Sequence, residues 1–539
     1  MDIVIRRALL SVYDKEGLVE LAAALAGLGT ELIASGGTRA ALEGAGLTVR
    51  EVTAVSGSPE AFQGRMKTLS FPISSALLFD RERDRDEAAR LGIQPIDLVA
   101  CNLYPFAAHA RAGAPLEALI ENIDIGGPTM IRAAAKNFRY VAVATSPAQY
   151  PELVRELKQR GGALSIETRA RLMREAFDLT ADYDALVSTT LRGRAGEASV
   201  RLHYGAPRPL RYGENPHQRA DFLRDLDAPV SLHDIRVVGG KEISYNNLLD
   251  LHAAVRAALA LKRHGCAVVK HGNPVGLAEA DSQEAALRLA WAADPVSAFG
   301  SVIAFGGPLS EDTVRFLALD DPDPRKRRFV EVVAAPNVEE GALRRLSASR
   351  NLRVVEFDPR LGDPRPEKRF LPGALLCQDP DADSELLEKL TVVTAARPPE
   401  LPEALLRFAL KAVREVKSNA IVVARATSDG SFQLAGIGAG QPNRVQSVRL
   451  ALARAAETLM EDDPAPAGRR EEALRERMGR AVLASDAFFP FPDSIDACRA
   501  AGVRVVLQPG GSIRDREVVA RCDESGIAMI LTGRRHFRH

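Results

Sequence analysis

The sequence predicts an α/β protein with two regions, the first of which is a small doubly wound parallel sheet. From residue 7 to about residue 151, short apolar runs alternate with helical segments, the pattern of strands joined by crossover helices. A second α/β region begins near residue 241 and continues to the C-terminus. A chain of 539 residues is too long for one core, so several structural units are expected.

Apolar periodicity divides the first region into strands and helices. The predicted strands are residues 8–10, 31–34, 96–100 and 140–144. A helix is predicted at 16–28, between the first two strands, and a long one at 166–191. The charged, glycine-bearing segment 192–196 follows the long helix, and we place the domain boundary there, giving domains 1–195 and 196–539.

The second region continues the same alternation. Its predicted strands are residues 267–269, 301–305, 330–334, 420–424, 503–507 and 528–531. Proline, glycine and charge cluster at 358–372, which predicts a soft break between two subregions. The polar stretch 461–470 is predicted to be an exposed loop, and the sequence has no short-period repeat.

Composition limits the classes of function. Lys+Arg and Asp+Glu both number 71, so the formal net charge is zero, which argues against nucleic acid as a partner. No run has the length of a membrane span or of a signal sequence's apolar core, so we expect a cytoplasmic protein without a membrane partner. The five cysteines have no metal-ligand spacing, and we expect no metal.

Lysine is scarce, because only 12 of the 71 Lys and Arg residues are lysines. Five of them fall in loops or at strand ends that carry other reactive residues: Lys15, Lys67, Lys136, Lys270 and Lys417. A compact, titratable ammonium group differs chemically from the always-charged guanidinium fork. These lysines are therefore candidate functional residues.

Lys270 and His271 form the clearest candidate reaction centre. The apolar run 266–269 ends at this pair, and a loop with glycine and proline, 272–276, follows it. In α/β folds, reactive side chains are presented where a buried strand ends at such a loop. Histidine transfers protons near neutral pH, and an adjacent ammonium favours the neutral imidazole that acts as a base. The alternative is a solvated strand end.

Two loops of the first domain have the features of a phosphate site. One consists of Ser35, Gly36, Gly37 and Thr38. It lies between a predicted strand and a predicted helix, so backbone N–H groups, hydroxyls and the helix N-terminus converge on an anion. The other runs from Ser11 to Lys15 and adds an ammonium group. Neither loop is a triphosphate or dinucleotide fingerprint, so the pair favours a monophosphate ligand.

Three more segments of the first domain carry candidates for a reaction centre. They contain Arg65, Lys67 and Thr68, then Asn102 and Tyr104, then Asp124, Gly126, Gly127 and Lys136. The Gly-Gly-Pro sequence at 126–128 leaves free backbone amides at a helix start. Lysine, tyrosine and aspartate in this setting favour oxyanion stabilisation and proton transfer. Each residue taken singly also fits a structural role.

Polar loops recur in the second half, at 211–218, 294–300, 418–420, 438–444, 485–492 and 508–512. Phe488, Phe489 and Phe491 provide a flat apolar wall suited to a fused-ring ligand. The alternative is that these rings belong to the hydrophobic core.

Together the motifs resemble those of a single family. They are SVYDKEGL, ASGGT, GRMKTL, CNLYPF, NIDIGG, RAAAKN, LRYGENPHQ, SYNNLLDL, VKHGNPVG, DPVSAFGS, KSNAIV, IGAGQ, SDAFFPFPDSID, QPGGSIRD and RHFRH. In this order they resemble the bifunctional enzymes of purine biosynthesis that combine AICAR transformylase with IMP cyclohydrolase. The resemblance covers essentially the whole chain.

That resemblance implies a methylglyoxal-synthase-like fold for domain 1–195 and cytidine-deaminase-like lobes for domain 196–539. It implies that the second domain transfers formyl from the cosubstrate 10-formyltetrahydrofolate to the 5-amino group of AICAR. The first domain then closes the ring of FAICAR to give IMP and water. The sequence has no HxE or PCxxC zinc signature, consistent with a zinc-free transferase. The family also implies a homodimer with shared transformylase sites.

The same resemblance assigns residues to roles. The implied catalytic residues are Lys67, Tyr104, Asp124 and Lys136 for ring closure, and Lys270, His271 and Asn419 for formyl transfer. The implied substrate-binding residues are Ser11, Lys15, Ser35, Gly36, Gly37, Thr38, Arg65, Thr68, Asn102, Gly126, Gly127, Arg211, Tyr212, Gly300, Glu331, Arg444, Phe488 and Arg535. The amine of AICAR is a weak nucleophile because its lone pair is delocalised into the imidazole. A base at His271 answers this need, Lys270 orients the groups or stabilises the oxyanion, and Asn419 positions the amine or the formyl group.

One segment departs from the family pattern. After Lys67-Thr68-Leu69 the family continues HPxxHGG, whereas this chain has Ser70 and Ser74 in place of the two histidines. We interpret the chain as a variant with an intact ring-closing site. One alternative is a transformylase whose first domain binds nucleotide but has lost its chemistry. A non-enzymatic nucleotide sensor is the other, and the reactive residues of the second half argue against it.

Overall fold

The computed structural model describes residues 2–57, 59, 61–62, 66–382, 390–461 and 469–539. The chain forms two compact units, Met1–His203 and Tyr204–His539. No helix in these ranges is long and apolar enough to cross a membrane.

The first unit contains a five-stranded sheet and a separate two-stranded one. Its strands are β1 (Ile3–Val4), β2 (Arg7–Ser11), β3 (Glu31–Ala34), β4 (Arg50–Glu51), β5 (Leu98–Cys101), β6 (Ala142–Ala144) and β7 (Ala163–Leu164). The main sheet has the order β4-β3-β2-β5-β6, and every neighbouring pair is parallel. All four residues of β5 are buried, so both faces of the sheet are covered. This is the predicted doubly wound sheet.

Ten helices surround the described part of these sheets. They are α1 (Leu18–Gly27), α2 (Gly36–Gly44), α3 (Thr53–Ser56), α4 (Phe71–Leu78), α5 (Arg85–Arg90), α6 (Phe106–Arg111), α7 (Leu116–Glu121), α8 (Gly126–Lys136), α9 (Tyr150–Gln159) and α10 (Ile166–Arg194). The predicted helices 16–28 and 166–191 correspond to α1 and α10. Ser165 begins α10 by accepting a hydrogen bond from the N–H of Thr168, which satisfies one of the free amides of the first turn.

The second unit is organised by one twelve-stranded sheet. Its strands and those of two separate hairpins are β8 (Tyr204–Leu210), β9 (Ala220–Asp225), β10 (Arg236–Gly239), β11 (His264–Lys270), β12 (Asn273–Ala280), β13 (Val302–Phe305), β14 (Val332–Ala335), β15 (Arg353–Glu356), β16 (Glu367–Leu371), β17 (Ala374–Gln378), β18 (Thr391–Val392), β19 (Ile421–Ala426), β20 (Phe432–Gly438), β21 (Val482–Ser485), β22 (Val505–Gln508) and β23 (Ala528–Leu531). The sheet order is β10-β15-β14-β13-β11-β12-β20-β19-β21-β22-β23-β18.

This sheet consists of two similar halves joined by the antiparallel pair β12–β20. We call β10–β15 lobe 1 and β18–β23 lobe 2. In each lobe a hairpin pairs antiparallel with one strand of a parallel three-stranded segment, and a short antiparallel strand closes the outer edge. The two lobes therefore repeat one strand pattern, a similarity that the two predicted subregions did not specify.

Helices of the second unit occur in both lobes. They are α11 (Tyr245–Ala260), α12 (Gln283–Ala293), α13 (Pro295–Ala298), α14 (Glu311–Arg315), α15 (Glu340–Leu346), α16 (Glu403–Arg414), α17 (Arg444–Glu461), α18 (Arg470–Gly479), α19 (Asp493–Ala501) and α20 (Asp515–Ser525). Buried side chains of the strands and helices cover both sides of the sheet. Phe408 and Phe432 belong to one hydrophobic cluster, and Phe305 belongs to another.

The predicted break at 358–372 contains the start of a hairpin, because β16 pairs with β17 through Leu371 and Ala374. Pro372 and Gly373 form its two-residue turn, and Gly373 has a φ of 71°. The predicted break thus contains part of a hairpin, and it falls between the last strand of lobe 1, β15, and the first strand of lobe 2, β18. Of the predicted loop 461–470, residues 462–468 lie outside the described residues.

Candidate active sites

The sheet topology of the first unit predicts the position of a ligand site. The strand order reverses between β2 and β5, and ligands of open α/β sheets bind beyond the carboxyl ends of strands at such a point. Ser11 ends β2, and Asn102 directly follows β5. Two of the predicted site loops therefore begin at this crevice.

Two lysines converge on the turn at the start of α2, which Ser35 precedes. A Cβ built on Gly36 would lie 3.3 Å from Nζ of Lys67, and one built on Gly37 would lie 3.8 Å from Nζ of Lys15. Gly36 has a φ of 50°, a conformation that favours glycine. Backbone amides, a helix N-terminus and two ammonium groups in one place are suited to an anion.

The loop after β2 is held by side chains that the sequence assigned to ligand binding. Oδ1 of Asn102 accepts hydrogen bonds from the N–H groups of Tyr13 (2.7 Å) and Asp14 (3.0 Å). Thr38, which is buried, bonds the N–H and the C=O of Val12 through its hydroxyl, both at 3.1 Å. In this structure, both side chains bind and shape the loop that carries Lys15.

Asp124 lies at the entrance to α8. Its Oδ1 accepts a hydrogen bond of 2.8 Å from the N–H of Gly127. A Cβ built on Gly127 would lie only 2.6 Å from Oδ2 of Asp124, so this close approach requires glycine. Burial raises the pKa of Asp124, and the N–H groups of Gly127 and Tyr104, which lower it, offset this only in part. A carboxyl group with a raised pKa next to a helix N-terminus is suited to proton transfer.

Neighbouring groups fix this corner. The hydroxyl of Tyr183, on α10, accepts a 2.7 Å hydrogen bond from the N–H of Asp124. Oγ1 of Thr68 lies 3.1 Å from the position of a Cβ on Gly126. The exposed ring of Tyr104 packs edge-on against Tyr13, with centroids 5.9 Å apart. Thr68, Tyr104, Asp124 and the two glycines are thus brought together.

Other predicted residues of the first unit lie elsewhere. Lys136 is exposed at the end of α8, roughly 15 Å along the helix axis from Gly126. Arg65 lies outside the described residues. Ser70 is the N-cap of α4 and accepts a 3.4 Å hydrogen bond from the N–H of Ile73, while Ser74 lies within that helix.

In the second unit, one cavity of about 1000 Å³ collects most of the predicted residues. Predicted residues on its wall are Arg211, Tyr212, Lys270, His271, Gly300 and Glu331. Further ionisable residues of the wall were not predicted from the sequence: Lys241, Asp250, His252, Arg353 and Arg538. The wall is rich in cationic groups, which suits anionic ligands.

The Lys270–His271 pair lies on the hairpin β11–β12. Nζ of Lys270 donates a 2.8 Å hydrogen bond to the carbonyl of Phe299, next to Gly300. His271 is exposed and has a φ of 53°. The ammonium is therefore fixed at the cavity wall while the imidazole remains accessible to a ligand.

A buried polar network adjoins the cavity through Lys417 and Arg538, which both line it. Arg444 donates a 2.6 Å hydrogen bond to Oδ1 of Asn419 and pairs with the fully buried Asp486. Nδ2 of Asn419 donates to the carbonyl of Gln441 at 2.7 Å. Both predicted residues thus bond to protein groups in this structure and support the wall.

The remaining predictions fall outside this group. Phe488 is partly buried, Phe489 belongs to the core, and Phe491 is exposed with Arg514 over its ring at 4.8 Å. Arg535 is exposed and stacks on Phe537 at 4.4 Å. Within the described ranges, no group of three or more His, Cys, Asp or Glu residues could hold a metal ion.

Two family models match this chain. Residues 134–454 match the family model of the AICARFT/IMPCHase bienzyme, and residues 17–129 match that of the MGS-like domain. A relative from Rhodopirellula baltica, named bifunctional purine biosynthesis protein PurH, is 44% identical over 99% of this chain and 99% of its own. Relatives of the same name from Xanthomonas campestris pv. campestris and Xanthomonas oryzae pv. oryzae are 43% and 42% identical, again over 99% of both chains.

These matches confirm the resemblance inferred from the motifs and the methylglyoxal-synthase-like first domain. The family model spans more than half of the chain, and the relatives align with nearly all of it. The chain belongs to the AICARFT/IMPCHase bienzyme family and is a bifunctional enzyme of purine biosynthesis, with AICAR formyltransferase and IMP cyclohydrolase activities.

Proposed function

We propose that formyl transfer from 10-formyltetrahydrofolate to AICAR takes place in the cavity of the second unit. Ring closure of FAICAR to IMP takes place in the first unit, at the crevice between β2 and β5. The observation that carries this assignment is the Lys270–His271 turn on the wall of a large cationic cavity. Transfer of the formyl group forms a bond between its carbon and the amine of AICAR and breaks the bond to the folate nitrogen.

His271 is the base in this step. It removes a proton from the weakly nucleophilic amine while the nitrogen attacks, and it returns this proton to the folate nitrogen as the bond from that nitrogen to the formyl carbon breaks. The ammonium of Lys270, fixed by the carbonyl of Phe299, stabilises the negative charge that develops on the formyl oxygen. Asn419 bonds to Arg444 and to the carbonyl of Gln441, so its role is to support the wall that holds the amine.

Both substrates are anions, which agrees with the charge of the cavity wall. Arg211, Lys241, Arg353, Lys417 and Arg538 contribute cationic groups to the wall. The nucleotide supplies a phosphate and the folate supplies carboxylates, so each has a partner there. The proposed chemistry uses no metal ion.

Ring closure in the first unit uses a different set of groups. The phosphate of FAICAR binds at the start of α2 beside Lys15. Asp124 accepts the proton of the carboxamide nitrogen as this nitrogen attacks the formyl carbon, and Lys67 stabilises the charge on the formyl oxygen. Water then leaves. The role of Lys136 rests on the family resemblance alone.

Replacing Lys15 by alanine weakens the binding of IMP to the first unit. Loss of one charge-assisted contact costs about 1.5–3 kcal/mol, or about tenfold or more in Kd. Calorimetric titration of IMP into the full-length variant measures this, with Lys158→Ala, on the surface of α9, as a matched control. An unchanged Kd would place the phosphate elsewhere.

We expect Asp124→Asn to lower the rate of ring closure and to raise the unfolding temperature at neutral pH. Ring closure falls by about a hundredfold or more because the proton acceptor is lost. Because burial raises the pKa of Asp124 in the folded state, its charge destabilises the fold once the pH exceeds that pKa. The variant therefore unfolds at a higher temperature than wild type at neutral pH. This difference disappears below the ordinary Asp pKa of 3.8, where the group is protonated in both states.

Thermal unfolding at several pH values, together with FAICAR conversion, measures both effects. An Asn variant that unfolds at a lower temperature at neutral pH, or that still closes FAICAR at the wild-type rate, contradicts the assignment.

A second candidate function keeps formyl transfer and makes the first unit a nucleotide-binding domain without chemistry. The observation in its favour is that Ser70 serves as the N-cap of α4, so the hydroxyl that replaces a family histidine has a structural task. Supplying FAICAR to the full chain and following IMP distinguishes the two. Conversion supports ring closure, and binding without conversion supports the second candidate.

Three finer features complete the proposal. Each lobe of the second unit is a cytidine-deaminase-like lobe, supported by the strand pattern that recurs in both. The enzyme is a cytoplasmic homodimer with transformylase sites shared between subunits, as the family implies. Sedimentation of the purified protein measures the oligomeric state.

A further inference from the structure

The turn that carries His271 has an unusual backbone. Lys270 pairs with Asn273, so His271 and Gly272 are the only two residues between the strands. Their φ values are 53° and 69°. A two-residue hairpin with positive φ at both positions favours Asn-Gly or Gly-Gly, because other side chains rarely adopt this conformation at the first position. Histidine adopts this conformation less readily than asparagine or glycine in such a turn, so contacts from outside the hairpin help to hold it.

Asp250 provides that support from α11. Its Oδ2 accepts a hydrogen bond of 3.2 Å from the N–H of His271, and its Oδ1 accepts one of 2.6 Å from the N–H of Gly272. Both carboxylate oxygens are thus directed at consecutive backbone amides of the turn. Hydrogen bonds to a charged acceptor are stronger than neutral ones, so this pair of bonds favours the left-handed conformation.

Helix α11 is itself anchored near Asp250. Ser244 and Asn247 form a reciprocal cap at its N-terminus, with each side chain bonded to the backbone N–H of the other residue. This cap lies less than two turns before Asp250. The carboxylate is therefore placed by a rigid element rather than by a loop.

We propose that Asp250 is a positioning residue for formyl transfer, which holds the His271–Gly272 turn so that the imidazole faces the reacting amine. The inference rests on the proposed role of His271 as the base. Asp250 acts through the backbone of the turn, so its loss lowers kcat while the binding of AICAR stays the same. Misplacement of a catalytic group by a fraction of an ångström is enough for such an effect.

The test uses Asp250→Ala, Asp250→Asn and Asp429→Ala in the full-length protein. Asp429 is the matched control, because its Oδ1 accepts a 3.1 Å hydrogen bond from the N–H of Ser431 in the corresponding hairpin of lobe 2. Asp429 is not among the described residues that line the cavity. For each variant, kcat of formyl transfer, Kd for AICAR and the rate of ring closure from supplied FAICAR are measured.

We expect Asp250→Ala to lower kcat of formyl transfer by about tenfold or more, with Kd for AICAR within about twofold of wild type. Asp250→Asn keeps one acceptor oxygen and recovers part of the rate. Ring closure stays at the wild-type rate in both variants, and Asp429→Ala retains both activities.

Three results would overturn the inference: an unchanged kcat, a loss of AICAR affinity at constant kcat, or an equal loss of ring closure. If the alanine variant is insoluble, the same criteria apply to Asp250→Asn. His271→Ala separates this inference from the proposed function. If that variant keeps its formyl-transfer rate, the proposed base is wrong. If it loses the rate while both Asp250 variants keep it, only the positioning role is wrong.

Discussion

His271→Ala lowers the turnover of formyl transfer by about two to four orders of magnitude, the usual contribution of a positioned general base. The imidazole is exposed on the cavity wall, next to an ammonium that the carbonyl of Phe299 holds in place. Alanine removes the base, but because residue 271 has a φ of 53° it also strains the turn, so His271→Asn, which adopts this conformation readily, serves as a second variant without the base. We expect ring closure from supplied FAICAR to stay nearly unchanged, because we propose that it takes place in the first unit.

The measurement is the steady-state rate with AICAR and 10-formyltetrahydrofolate at saturation, with FAICAR conversion as the internal control. His264→Ala, at the opposite end of β11, is a matched histidine control that we expect to retain activity. A His271→Ala enzyme that keeps more than about half of its formyl-transfer rate would sink the assignment of the base, since a positioned base contributes far more than that.

Lys67→Ala loses most ring closure while it retains formyl transfer. A fixed donor at a developing oxyanion contributes on the order of a hundredfold or more in rate. Nζ of Lys67 lies at the start of α2, where the phosphate is proposed to bind. Assays at saturating FAICAR therefore separate the two roles. A fall in kcat supports oxyanion stabilisation, and a rise in KM alone contradicts it.

The same experiment tests whether the two missing histidines matter. We expect wild type to close FAICAR despite Ser70 and Ser74, which would make those histidines dispensable for the chemistry. Ser70→His brings no gain in rate, and the loss of the N-cap costs about 0.5–2 kcal/mol of stability. If wild type is inactive and Ser70→His restores turnover, the first unit has lost its chemistry and the second candidate function is correct.

Features encoded within a few consecutive residues were predictable from the sequence. The turn 35–38 lies between β3 and α2, as the glycines and apolar strand indicated, and Lys270 ends a buried strand. Parallel strands that are buried on both faces give continuous apolar runs, so β5 was also found. These patterns are local and need no knowledge of distant contacts.

Features that depend on distant contacts were not predictable. Asp250 meets the His271 turn from a helix 21 residues earlier, and nothing in its local sequence indicates the partner. Arg444 and Asn419 are 25 residues apart and bond to each other within the protein. The similarity of the two lobes lies in strand pairing rather than in repeated residues, because many sequences satisfy the same hairpin and parallel-strand pattern.

Asn102 and Thr38 illustrate a different limit. Their positions beside the crevice were predicted, but their polar groups bond the loop after β2. A polar side chain at a site either binds the ligand or holds the loop that does, and residue type alone does not separate these roles. The hydrogen-bond partners in the structure do.

One chain is expected to carry out both reactions in sequence. This is tested by supplying the purified full-length enzyme with AICAR and 10-formyltetrahydrofolate labelled with carbon-13 in the formyl group, and by following the label by NMR. We expect the labelled carbon to enter FAICAR first and then to be found in the purine ring of IMP. Labelled FAICAR that accumulates without IMP, or no incorporation into either product, would contradict it.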